Sequence, residues 1–183
     1  MVAQDADGGH DARFRLFHKA PLIVPNNDVK AHTNIERSRE YAESAQKAIV
    51  WSQAKDVASA SVLQTKPMTS ETELQWLQRH DKESGDLYGM LPLVEGMPDM
   101  LAGHLDRNPA KNLLRGSRGN IVGWIEHPEE DNTKHQSDEQ SRVLTKVPLA
   151  VFVKFDNAKW TLPGVGEPGV YPVRPHVSRV VLG

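Results

Sequence analysis

Four basic residues, Arg107, Lys111, Arg115 and Arg118, fall within one short segment, and two of them sit directly before glycines, Gly116 and Gly119. Guanidinium and ammonium groups at this density can neutralise phosphates, which releases counterions and makes the affinity fall as salt rises. A glycine beside each arginine removes the side chain that would otherwise hold a phosphate away from the backbone. The same residues are compatible with an ordinary solvated surface, so both readings stand at this level. A second basic set, Arg174, His176 and Arg179, is sparser and reads more simply as surface.

Stacking is another route to a nucleic acid, and the chain carries Trp51, Trp76, Trp124 and Trp160. Aromatic platforms bind single strands with little sequence preference. Core packing is the simpler reading for Trp124, which follows Ile121 and Val122, and for Trp160, which is expected to end the VFVKFD strand. Enzymatic chemistry finds less support. His127 and His135 are too far apart to share one helical turn as metal ligands, so no metal site is expected. There is no G-x-S-x-G elbow to present a nucleophile. A nucleotide-hydrolysing motor needs G-x-x-x-x-G-K-[ST] to cradle phosphates, and neither that loop nor its lysine occurs. The GVGEPG run, Gly164 to Gly169, lacks the lysine, contains Pro168 and reads as a turn. No residue is assigned a catalytic role.

The composition of these 183 residues suits one domain with a lean core, at 38% hydrophobic. A formal net charge of -2 gives no global attraction to a polyanion, so any binding must be local. The absence of cysteine removes disulfides, thiolate nucleophiles and Cys-based zinc sites, and fits an intracellular chain. No apolar run approaches the roughly 20 residues of a membrane helix, and the first residues lack the hydrophobic centre of a secretory signal. The chain reads as soluble with no membrane partner, and its composition sets no oligomeric state.

The elements that would hold the basic segment follow from local pattern. Met1 to about Asp11 is polar and is expected to be disordered, with order beginning near Phe14. Pro21–Val24 suits a buried strand. Asn26, Asn27 and Asp28 can each cap a helix running to about Ala48, with Val29, Ile35, Tyr41 and Ala45 as its packing face. Residues 51–68 show no sustained period. A short helical pattern from Ser70 to Arg79 opens with capping-box spacing, and residues 80–89 read as a connector. Leu91, Leu93, Met97 and Leu101 lie on strand-like runs broken at Gly96 and Pro98. A polar insert, Asp106 to Asn112, then leads through two glycine turns to a strand from Asn120 to Ile125. Residues 127–142 are charged and free of aliphatics, as in an exposed loop.

The run from Leu91 to Ile125 resembles the part of the PIF-type (Petite Integration Frequency) superfamily-one DNA helicases that reads roughly L-x-x-G-M-P-V-M-L-T-x-N-I-D, then G-L-x-N-G-x-x-G-x-V. The matching residues are Leu93, Gly96, Met97, Pro98, Met100, Leu101 and Asp106, then Leu114, Gly116, Gly119 and Val122. PLIVPNNDVKAHTN, ending at Asn34, is similar to the strand-then-helix entry into the family's second RecA-like motor domain. KVPLAVFVKFDNAKW, Lys146 to Trp160, is similar to its L-P-x-x-V-x-V-K-F-D strand. Asp99 stands where the family usually has valine, and Ala102 and His104 stand where threonine and asparagine are common.

The resemblance implies an α+β fold: a partial RecA-like α/β segment over residues 14–90, then a small strand-rich SH3-like barrel over 91–183 with its loop at 127–142. It implies part of an ATP-dependent helicase moving 5′ to 3′ on single-stranded DNA, in DNA repair or recombination, in the nucleus or mitochondrion. ATP and magnesium would serve the intact enzyme, whose nucleotide motifs lie before and after this region, so the chain alone is expected to be inactive. Arg107, Lys111, Arg115 and Arg118 would face the DNA, while Asn34, Gly96, Pro98, Gly116 and Gly119 would shape the local architecture. The alternatives are a non-catalytic nucleic-acid-binding or protein-interaction module, or a decayed helicase fragment.

Overall fold

A computed structural model of the chain describes residues 27–55, 89–131 and 140–176. The expectations for residues 1–26, the helix from Ser70 to Arg79, most of the 80–89 connector, Trp76, His135 and Arg179 lie outside them. The described residues form a mixed α+β structure with one helix and two sheets.

The helix, α1 (Asn27–Ala45), ends where Gln46 turns left-handed at φ 53°. The Gln46 N–H donates to the Glu43 carbonyl at 3.1 Å and the Lys47 N–H to Ala42 at 2.9 Å, closing the last turn as a Schellman motif. The helix therefore stops short of the expected Ala48, because the chain must turn into β1 (Ile49–Gln53). That strand falls partly in a stretch without apolar periodicity, and its sequence IVWSQ is buried on both faces, so no alternation announces it.

β1 is the centre of a three-stranded sheet. It pairs antiparallel with β2 (Met90–Leu93) and parallel with β5 (Ser141–Leu144). Between β2 and β5 the chain builds β3 (Pro98–Met100) and β4 (Arg118–Ile125). After β5 it adds β6 (Ala150–Phe155) and β7 (Val170–Val173), completing an antiparallel sheet of order β3-β4-β6-β7. The two sheets are thus interleaved in sequence. One sheet joins residues from both sides of position 90.

Burial makes three layers of this topology. One face of the first sheet presents Ile49 and Trp51, with Val94, to Ala42 of α1, flanked by Ile35 and Tyr41. Its other face sends Val50, Leu93 and Leu144 against Ile121 of β4, where Trp124 and Val151 pack. Burying a side chain such as Leu93 or Leu144 contributes about 1.5–3 kcal/mol. A third cluster lies along the second sheet, where Leu113 covers Val153 and Phe155 beside Trp160 and Tyr171. The expected helix face needs one correction: Ala42 and Ser38 are buried, whereas Val29 is exposed, so the contact stripe follows Ile35, Ser38 and Ala42.

Three further expectations shift. Pro98 opens β3 instead of breaking a strand, a position where its missing N–H costs no interior ladder bond. The VFVKFD strand ends at Phe155, and Trp160 lies beyond it, edge-on to Tyr171 at 6.2 Å. Ser141 and Arg142 belong to β5, and the ends of the charged loop are pinned. Glu130 accepts from the Thr145 N–H and hydroxyl and from the Lys146 N–H at 2.8–2.9 Å, while Arg142 pairs with Glu126.

Candidate nucleic-acid interface

Two β-turns frame the short strand β3, and each depends on one glycine. In the first, the Met97 N–H donates to the Val94 carbonyl at 3.1 Å, with Gly96 at φ +84°. In the second, the Ser117 N–H donates to Leu114 at 3.0 Å, with Gly116 at φ +89°. A positive φ confined to the third residue is the type II pattern, which favours glycine there.

Both turns are stitched to their neighbours across β3. Gly96 donates its N–H to the Ile121 carbonyl at 2.6 Å and accepts from the Asn120 side chain at 2.9 Å. Gly116 donates to Leu101 at 2.8 Å, and Leu101 donates back to Ser117 at 2.9 Å. Gly119, one residue into β4, has a different role. A Cβ there would lie 2.5 Å from the Lys154 carbonyl oxygen and 2.8 Å from Val153 Cγ1, so glycine permits the close approach of β4 to β6. The expected phosphate approach beside Gly119 is therefore closed by the neighbouring strand. At Gly116 nothing lies within 4 Å of that position, and the turn is open.

The four candidate cations divide. Arg115 and Arg118 are exposed on the open turn and at the start of β4, and neither pairs with an acid among the described residues. Arg107 is exposed in the insert. Lys111 is turned inward: its Nζ lies 2.6 Å from Asp106 and 5.9 Å from the Tyr171 ring, and its side chain is only 23% exposed. The pairing raises the Lys111 ammonium above its usual range, and the Lys111 hydrogen bond, followed by the Asn108 N–H, lowers the Asp106 carboxyl. Asp106 also anchors the insert, since its Oδ1 accepts the Asn108 N–H at 2.9 Å and its backbone bridges Leu113. An acid five residues before a lysine, in a D-x-N-P turn, was the legible signal for this internal pair.

On the outer face of the second sheet, Arg118 aligns with Met100, and Asn120 aligns with both Pro98 and Lys154. Met100 is 57% exposed, and Lys154 pairs with Glu167. Asp99, opposite Gly119, retains contact with water on the β3 edge although crowding by the chain is enough to raise its carboxyl, an effect the Met100 hydrogen bond only partly offsets. Its exposure keeps the cost below that of a fully buried, unpaired carboxylate. Asn34 is exposed on α1, the layer separated from the second sheet by the first, and its carbonyl also accepts from the Ser38 hydroxyl at 2.7 Å.

Trp51, Trp124 and Trp160 all pack in or against the apolar clusters, and the Trp51 indole donates to Ser141 at 3.3 Å. Trp51 is buried in the core, and Trp124 and Trp160 are partly buried against it. Among the described residues, no three His, Asp or Glu side chains gather as a metal-holding group, and no helix is long and apolar enough to cross a membrane. One contact had no sequence signal: the Arg115 N–H donates to Nδ1 of His104 at 3.2 Å, joining residues on either side of the insert. No protein family, curated protein or solved structure matches the chain.

Proposed function

We propose that this chain is part of a PIF-type, ATP-dependent 5′-to-3′ DNA helicase, and that the open turn from Leu114 to Arg118 contacts the phosphates of single-stranded DNA. In this reading α1 and β1 belong to the start of the second RecA-like motor domain, and the β3–β4 region to the SH3-like insertion. The supporting observation is that the central stretch of the resemblance, Leu93 through Val122, is held together around its glycine turns. Gly96 and Gly116 shape its turns, Gly119 sets its strand spacing, and Asp106 anchors its insert, leaving Arg115 and Arg118 outward.

Phosphate neutralisation is the chemistry these residues can perform. Arg115 and Arg118 are the principal contacts and Arg107 an auxiliary one, whereas Lys111 serves its own loop. Triphosphate binding is not assigned here, because the chain has no glycine loop with a lysine to cradle it; in the intact helicase ATP and magnesium would supply the driving force elsewhere.

The test is a titration of fluorescent single-stranded DNA with the whole chain across a salt series. The double variant R115A/R118A should weaken binding equally for unrelated sequences. It should also reduce the magnitude of the log-affinity against log-salt slope by roughly 1.4, since each lost contact to a single strand removes about 0.7. Wild-type chain that does not bind, or a variant with an unchanged slope, overturns the reading.

A further inference from the structure

We propose that His104 is itself a phosphate-contacting residue, donating from Nε2 beside Arg115. The inference rests on the nucleic-acid reading above and adds a residue to its site. It starts from the direction of one hydrogen bond. A backbone N–H can only donate, so the 3.2 Å contact from Arg115 requires an unprotonated Nδ1 on His104. In the neutral ring the proton then resides on Nε2, leaving that N–H as the free donor of an exposed side chain.

The backbone of the turn makes this donor matter. A concave row of free amides could hold an anion without side chains. Here the amides are occupied: Arg115 by His104 Nδ1, Gly116 by the Leu101 carbonyl and Ser117 by the Leu114 carbonyl. A phosphate arriving over the open Gly116 position therefore has to be gripped by side chains. Those carried by the turn and its tied neighbour are Arg115, Ser117, Arg118 and His104, with the Ser117 Oγ already accepting the Leu114 N–H at 3.1 Å inside the turn. The arginines supply charge, and His104 supplies a neutral, directional hydrogen bond whose tautomer is set by the turn it is tied to.

That difference gives a readout which a purely supporting role would not produce. Losing a neutral donor weakens binding without changing the number of counterions released. His104→Phe, which keeps the ring and removes both nitrogens, should lower affinity for single-stranded oligothymidylate about fivefold, comparable to one modest hydrogen bond, with the wild-type salt slope. Nitrogen-15 spectra of the imidazoles provide the second measurement. His104 should carry its proton on Nε2 in the free chain, and that signal should shift on adding the oligonucleotide. His127 is the internal control, because its Nδ1 also accepts a backbone N–H, from Glu129 at 3.1 Å, but within a local turn of its own.

A proton on Nδ1 of His104, or a Phe variant binding like wild type, overturns the proposal. A Phe variant with a flattened salt slope also overturns it, since His104 would then only position Arg115. In all three cases the arginine variants still report on the helicase reading. If wild-type chain binds no single-stranded DNA, both fall together.

Discussion

The turns at Gly96 and Gly116 share a backbone geometry and differ in what surrounds them. At Gly96 a side chain would meet the Tyr41 hydroxyl at 2.9 Å, and Asn120 reaches over to the carbonyl. At Gly116 the space is open and an arginine precedes it. One turn is locked between the helix and the sheets. The other is held through its backbone, by the Ser117 hydroxyl and by His104, so its arginines remain available. A glycine pattern read along a chain thus merges two roles that packing separates: keeping an element in place, and leaving a surface uncovered.

The sharpest way to break the comparison is at the third glycine. Gly119→Ala should cost about 3 kcal/mol or more in chemical denaturation, because the clash is with the Lys154 backbone and β4 must move away from β6. A loss below 1 kcal/mol would mean that the sheet has slack there. Gly96→Ala and Gly116→Ala come next. Each should lose about 1 kcal/mol for forcing a side chain into left-handed backbone. Gly96→Ala should lose roughly 1 kcal/mol more because Tyr41 has to yield. Equal denaturation midpoints for the two variants would remove the contrast.

The smallest expected effect concerns the insert between the turns. Asp106 titrates below its ordinary value in the folded chain, so its contribution is present above about pH 4 and is lost as pH falls through the lowered value. Lys111 titrates above its ordinary value, so its contribution is present below that value and is lost at strongly alkaline pH. The thermal midpoint advantage of wild type over Asp106→Asn should therefore be flat through neutrality and shrink below about pH 4. An advantage that persists unchanged in acid would remove the ion pair from the account.

Parts of both sheets are legible: the strand-like runs around Leu93, in β2 of the first sheet, and from Asn120 to Ile125, in β4 of the second, follow from apolar residues, and the turns follow from glycine. The insert is recognisable as polar, whereas residue type alone groups Lys111 with the three arginines and does not show its pairing with Asp106. β1 was hidden because a strand covered on both faces carries no period. Residue type alone puts Val29 on the packing face, although the stripe that meets the sheet runs through Ala42, flanked by Ile35 and Tyr41.

The amino-acid sequence by itself determines the local features of this protein: where glycine must turn the chain, where apolar runs demand burial, and where cations concentrate. These depend on neighbouring residues and on backbone sterics. Only the tertiary structure decides that β1 pairs with the distant β5 in the first sheet, that Gly119 faces a backbone oxygen while Gly116 faces open space, and that His104 meets the Arg115 amide. Each of these depends on which distant segments are brought within a few ångströms, and hydrogen-bond direction and steric exclusion act only at that range.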